Sequence, residues 1–376
     1  MDWQIPLFKT YWDDEDVKSV TQAITTGMFW AMGPNIEKFE HVISEYVGTK
    51  YVVSFNSGTS ALNAVLLAYN IGQDDEVIVP SFTFIATANA PLFVGAKPVF
   101  ADIEETTYGL DPDSVRDQIT PKTRAIIPIH YGGCACLINE LKEIAEKNNL
   151  ILIEDAAEAL GASVSGQRTG SFGASAVLSF CSNKVISTGE GGAVTTNSND
   201  IYKKLKLIRS HGRAEDGNYF LSNKSTDYVD LGYNFRVSNI VAALGISQLN
   251  KIDHIIKLRQ SNAEMLSSEL SKIREIEVPC CPDNYFHVYQ IYTIRVKDGK
   301  KRRDALSAYL AQKGIMTKVY FSPVHLTHFY HTKLGYNEKL PVTEKLSREV
   351  LSLPIYPTLT SDEISYVADV IADFFA

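Results

Sequence analysis

The sequence predicts an α/β protein: a large unit built on a mostly parallel sheet, then a smaller C-terminal α+β unit. Three observations carry this expectation. Up to about residue 180, short β-rich runs alternate with longer helical patterns. Those runs are apolar almost end to end, as in strands covered on both faces. From about residue 250 the texture changes to one long helix followed by mixed strand and helix, which suits a smaller α+β unit. The expected division is therefore 1–250 and 251–376.

Taken in order, "YVVSF" (51–55) reads as a strand and "SGTSALNAVLLAYN" as the helix after it. "EVIVP" (76–80) precedes a helical "FTFIATANAPLFVG", and "KPVFADI" is a further strand. "RAIIPIH" (124–130) leads into the helical "INELKEIAEKNN". "LILIED" (150–155) ends on an acid with helix-forming alanines behind it, and "AVLSF" (176–180) ends just short of Lys184. Beyond 250, "KIDHIIKLRQSNAEMLSSELSKI" has helical spacing at Ile252, Ile255, Ile256, Leu258, Met265 and Leu266. "VYQIYTIRV" and "MTKVYF" read as strands, and "KRRDALSAYLAQKG" and "SDEISYVADVIADFF" as helices. In such sheets ligands collect at the carboxyl ends of the strands.

The bulk composition narrows the class. The 376 residues carry a formal charge of −8 and no basic run, which leaves no electrostatic footprint for nucleic acid. Cys134, Cys136, Cys181, Cys280 and Cys281 are odd in number and contain no C-x-x-C, so neither a disulfide framework nor a thiolate zinc site is expected. "MDWQIPLFKTYWDDEDV" is too acidic for a signal peptide, and runs such as "NAVLLA" are too short to cross a bilayer. A cytoplasmic enzyme without a membrane partner is the expectation.

Three features bear chemistry. Asp155 sits at the tip of a buried strand, where a carboxylate is costly unless paired; it is either a helix cap or the counter-ion of a protonated ring nitrogen. Ser57-Gly58-Thr59 opens a helix after a strand. It is either a plain cap or an anion site, where backbone amides and the positive helix end meet a phosphate. Lys184, in "SFCSNKVISTGEGGAV", is either a solvated surface charge or a reactive amine. There is no P-loop, and "GEGGAV" is not G-x-G-x-x-G because Val194 occupies the last position. A phosphate cradle, a strand-end acid and a strand-end lysine together meet the needs of pyridoxal 5'-phosphate: an amine, an acid at the pyridine nitrogen and an anion site. The histidines of "HLTHFYH" (325, 328 and 331) lack a completing carboxylate or thiolate, so no metal is expected there. His325 is instead a candidate for the substrate mouth, His130 and Tyr131 for loop structure, and Phe29-Trp30 for substrate contact or core.

The ordered stretches "GPNIEKFE", "SFNSGTSAL", "GQDDEVIVPSFTFIAT", "GAKPVFADI", "ITPKTRAIIPIHYGG", "LILIEDAAEALGA", "LSFCSNKVISTGEGGAVTTN" and "GYNFRVSNIVAALGISQL" run through nearly the whole chain. With them it resembles the DegT/DnrJ/EryC1/StrS family of sugar aminotransferases, which share the fold-type I architecture of pyridoxal-phosphate-dependent transferases. The resemblance implies roles residue by residue. Lys184 matches the lysine that carries the cofactor, and Asp155 the partner of the pyridine nitrogen. Glu158 stands where the family places a Gln, His or Glu beside the cofactor. Gly58, Thr59 and Ser179 match phosphate binders, and Phe84 the aromatic residue stacked on the ring. Asn234 matches a phosphate contact reaching in from the partner subunit, which implies a homodimer with shared active sites.

The implied reaction moves an amino group from glutamate to a nucleotide-linked keto-sugar. A 4-keto-6-deoxy sugar is favoured because "NKVISTGEGG" resembles the subgroup acting at C4. Polysaccharide biosynthesis, including lipopolysaccharide O-antigen, is the setting that goes with it. Two alternatives share the Lys-x-x-x-x-Gly-Glu-Gly-Gly pattern: a keto-inositol aminotransferase and an aminohydroxybenzoate-type synthase. A non-catalytic regulator or dehydratase descendant is a third, although the dehydratase branch replaces the lysine with histidine.

Overall fold

The computed structural model describes residues 3–214 and 226–376. The strands of the first two-thirds are β1 (Tyr51–Phe55), β2 (Glu76–Pro80), β3 (Lys97–Ala101), β4 (Thr123–Ile126), β5 (Ile151–Asp155), the short β6 (Ser163–Val164) and β7 (Gln167–Arg168), β8 (Ser175–Ser179) and β9 (Gly192–Thr196). Seven of them form one sheet in the order β1-β9-β8-β5-β4-β2-β3. Neighbours are parallel except β9, which runs antiparallel to both β1 and β8. The strands are buried along almost their whole length. Helices cover both faces, which is why the sequence shows apolar runs rather than alternation. One face packs Val53, Val79, Phe100 and Val177 against the helices Gly58–Ala68 and Ile85–Phe93. On the other, Val52, Leu178 and Phe180 meet the helices Pro34–Val47 and Asn239–Asn250.

Two sequence expectations change here. "GAVTT" was not read as a strand, yet β9 closes a hairpin with β8 in which Ser179 faces Gly192. Lys184 therefore lies in the loop of an antiparallel hairpin at the sheet's carboxyl end. "AAEAL" after Asp155 reads as helix, but residues 157–161 form turns. Their amides and carbonyls serve local bonds such as Ala159 N–H to Ala156 O and Ala162 N–H to Ala159 O.

After residue 250 come the helix Ile252–Leu270, then β10 (Ile276–Glu277), β11 (Tyr285–Phe286), β12 (Tyr292–Val296) and β13 (Val350–Leu353). β10-β12-β13 form an antiparallel sheet. Its core takes Leu266, Ile294, Leu310, Leu353 and Ile371, with the helices Lys300–Gln312 and Ser361–Phe375 over it. Ile5 belongs to this core and bridges Ile315. In the other direction, β11 pairs with β6, and Val324, Tyr330 and Tyr336 pack into the core of the large sheet. "MTKVYF" forms no named strand: Lys318 bridges Ser352, and the Met316 N–H donates to the Ile5 carbonyl. "VYQIYTIRV" is strand only from Tyr292 on. Before that point its backbone is used elsewhere: Val288 and Ile291 N–H donate to the Gly133 and Gly132 carbonyls, and the Arg259 guanidinium holds the Tyr289 carbonyl.

Candidate active site

A cavity of about 470 Å³ opens where β1, β5 and β8 end. Gly58, Thr59, Phe84, Asp155, Glu158, Ser179 and Lys184 all line it. β1 delivers Ser57, which caps the helix Gly58–Ala68 by accepting the Ser60 N–H at 3.0 Å. The first-turn amides of Gly58 and Thr59 have no acceptor within the helix and sit at its positive end. The glycines near Lys184 explain themselves against this turn. A Cβ on Gly192 would lie 2.5 Å from the Ser57 carbonyl carbon, and one on Gly58 would lie 3.2 Å from the Ser179 Cβ. Only bare backbone lets β9 close on the helix start and keeps its amides open to an anion.

β5 delivers Asp155, which is 4% exposed. Its Oδ2 accepts the Thr87 hydroxyl at 2.7 Å and its Oδ1 the Ala157 N–H at 3.2 Å. Burial pushes its pKa up, against these hydrogen bonds and Lys184, which pull it down. Each such bond to a carboxylate contributes about 1.5–3 kcal/mol, yet the burial effect is the larger here. A buried carboxylate of this kind is incomplete without a cation or a shared proton. The helix-cap alternative fails, because no helix follows β5.

The β8–β9 loop delivers Lys184. Its side chain is 14% exposed, and Nζ stands 3.4 Å from Glu158 Oε1. The other Glu158 oxygen accepts the Gly132 N–H at 3.0 Å. Lys184 is thus no solvated surface charge. Phe84 caps the helix Ile85–Phe93 and leaves 59% of its area exposed on the cavity wall, an aromatic face open to a flat partner.

These residues fit pyridoxal phosphate: an anion cradle, an open aromatic face, a buried acid and an amine share one cavity. His325 does not line it. It is buried, with Nδ1 2.6 Å from Ser81 Oγ, and so packs in the interior rather than at the substrate mouth. Asn234 is exposed, bridges Ser210 through its backbone and is absent from the cavity wall of its own chain. Sequence reading missed Thr87, which orients Asp155, and the mouth residues Phe8, Lys318 and Tyr320. Thr87 stands within "SFTFIAT", four residues from Thr83, whose hydroxyl it meets at 2.8 Å. Phe8 and Lys318 carry no local signal, because only tertiary folding brings them together.

The architecture and the cavity chemistry are those of a pyridoxal-phosphate-dependent aminotransferase of fold-type I. Comparison with known proteins agrees. The chain belongs to the DegT/DnrJ/EryC1/StrS aminotransferase family, whose profile matches residues 11–372. The GDP-perosamine synthase of Caulobacter vibrioides is 35% identical over 94% of this chain and 94% of its own. Helicobacter pylori PseC, an aminotransferase involved in the biosynthesis of pseudoaminic acid, superposes with a TM-score of 0.92 at 27% identity, over 99% of each chain. The PLP-form of the putative sugar aminotransferase Spr1654 from Streptococcus pneumoniae gives 0.92 at 26% identity, over 99% of this chain and 100% of that one. The protein is a sugar aminotransferase that uses pyridoxal phosphate.

Proposed function

We propose that the enzyme transfers the amino group of glutamate to a nucleotide-linked keto-sugar, a 4-keto-6-deoxy sugar being the best fit, in the cytoplasm. The observation that carries this reading is the joint placement of Lys184, Glu158 and Asp155 behind a mouth lined by Phe8, Lys318 and Tyr320. The relatives named for perosamine and pseudoaminic acid support a sugar acceptor.

When bound, the cofactor supplies the electron sink that an amine transfer requires. The chain supplies the rest. Gly58, Thr59 and Ser179 bind its phosphate, and Phe84 orients its ring. Asp155 would hold a protonated ring nitrogen, the cation that a buried carboxylate calls for. Lys184 would hold the cofactor through Nζ, and the same nitrogen is the atom able to take up and return a proton. Glu158 receives the ammonium form of Lys184 at 3.4 Å and so sets where that proton waits. The Lys318 ammonium, 5.0 Å above the Tyr320 ring, meets the anionic end of the acceptor at the mouth. Asn234 belongs to the neighbour's phosphate site in a homodimer, and the division at 250/251 separates the cofactor-bearing unit from the smaller one.

The test uses purified holoenzyme, glutamate and a panel of nucleotide-linked 4-keto and 3-keto sugars, with 2-oxoglutarate release and aminated product mass as readouts. A 4-keto-6-deoxy sugar should turn over fastest. Turnover of a keto-inositol and of no nucleotide sugar would replace this reading with the inositol one.

A further inference from the structure

Cys134 and Cys281 lie outside the cavity but beside one of its supports. Their Sγ atoms are 3.9 Å apart across a sequence separation of 147. A disulfide requires about 2.05 Å, so the sulfurs would close by roughly 2 Å on bonding. Cys134 is buried and Cys281 is partly exposed, so solvent reaches the second thiol. The contact between the two thiols, together with burial of Cys134, raises the Cys134 pKa and lowers that of Cys281. The partly exposed sulfur is therefore also the better nucleophile.

Cys134 ends the turn that holds Glu158. The Cys134 N–H donates to the Tyr131 carbonyl at 3.0 Å, and the Gly132 N–H donates to Glu158 Oε2 at 3.0 Å. The Gly132 and Gly133 carbonyls accept the Ile291 and Val288 N–H groups. Gly133 has φ +104, and a Cβ there would stand 2.8 Å from the Gln290 nitrogen. The turn is thus packed on the 288–291 segment without slack, and a pull on Cys134 reaches the Gly132 amide.

We infer that Cys134 and Cys281 form a dithiol site that a peroxide converts to a disulfide, and that the cross-link slows the enzyme by shifting the turn beneath Glu158. The steps balance. The Cys281 sulfur attacks the peroxide O–O bond, giving a sulfenic acid and one water. The Cys134 sulfur then displaces the hydroxyl from that sulfur; the S–S bond forms and a second water leaves with the Cys134 proton. Two thiols lose two electrons and two protons, and the peroxide is reduced. The cross-link stands on geometry alone, whereas its effect on rate rests on the role proposed for Glu158.

The experiment treats holoenzyme with hydrogen peroxide, alkylates the remaining thiols after denaturation and maps cysteine peptides by mass. The expected product is a peptide pair joined through Cys134 and Cys281. It should be lost in Cys281→Ser and kept in Cys280→Ser. The rate of glutamate-driven cofactor conversion, followed by its visible absorption, should fall about tenfold, the size of one weakened hydrogen bond to a charged group, and return with dithiothreitol. Cys134 that stays alkylatable, or a cross-link through the exposed Cys280, overturns the site. A fully cross-linked enzyme at undiminished rate overturns the control of turnover. Glu158→Gln, measured alongside, separates the causes: if it too runs at full rate, the role given to Glu158 is what failed.

Discussion

The inner end of the cavity and its mouth are built in different ways. Asp155, Ser179 and the Ser57–Thr59 turn are strand ends, each fixed by the hydrogen-bonded sheet beneath it. Phe8, Lys318 and Tyr320 come from segments held by isolated bridges and bonds rather than by a ladder. The Ile355 N–H meets the Leu7 carbonyl, Lys318 bridges Ser352, and the Tyr131 hydroxyl donates to the Tyr320 carbonyl. The inner end rests on sheet strands, with Asp155 buried; the mouth is an assembled wall on which Phe8 and Lys318 are exposed. A sheet that holds reacting groups still and a mouth free to vary let one architecture keep its chemistry while changing its acceptor.

The comparison breaks most sharply at Lys184. Lys184→Ala should abolish the visible band of the bound cofactor and nearly all transamination while the circular dichroism of the chain is preserved. Retained absorbance with normal turnover would move the chemistry elsewhere.

Asp155→Asn should keep cofactor but lower turnover by orders of magnitude at saturating cofactor. The same variant should stabilise the apoprotein. Burial raises the Asp155 pKa, so the cost of its ionised form is felt above that raised value and disappears as pH falls and the carboxyl protonates. At pH 8 the apo variant should melt higher by about 2 °C, the shift that roughly 1 kcal/mol makes in a chain of this size. The gain should vanish in acid. A wild-type rate would reduce Asp155 to a structural group.

Asn234 tests whether the inner end is complete within one chain. Lys184→Ala and Asn234→Ala chains, each nearly inactive alone, should recover roughly a quarter of wild-type activity when subunits exchange at random, since half the dimers then carry one intact site. No recovery despite proven exchange would confine Asn234 to its own chain. At the mouth the effect should be smallest. Lys318→Gln should raise KM for the nucleotide sugar about fivefold, as befits an exposed ion pair of up to about 1 kcal/mol. The glutamate half-reaction should stay unchanged. A shift in the glutamate KM instead would place the donor's carboxylate on Lys318.

The same contrast governs what the sequence reveals. β1 and β2 lie where their apolar runs place them, and β5 and β8 within a residue of theirs, because burial on both faces leaves an unbroken local signature. Asp155, Ser57–Thr59 and Lys184 follow those runs directly, so their approach to one another could be read from strand ends alone. β9 was hidden because its first residue, Gly192, serves close packing against Ser57 rather than strand propensity. The alanines after Asp155 favour helix, but the turns that carry Glu158 past Lys184 prevail. "MTKVYF" has strand composition but meets β13 at one bridge, Lys318 with Ser352, because β12 pairs with β13 along its length. The mouth residues lie at opposite ends of the chain and have no local grammar.

Ile5 and Leu7 have a temporal consequence. Their docking partners, Ile315 and Ile355, lie more than 300 residues further along the chain. At about 5–20 residues per second, translation leaves the strap around Phe8 waiting on the order of tens of seconds before its docking groove exists. The sheet and the Lys184 hairpin are by then already synthesised. The wall that carries Phe8 can accordingly be completed only after the chain has been made past Ile355.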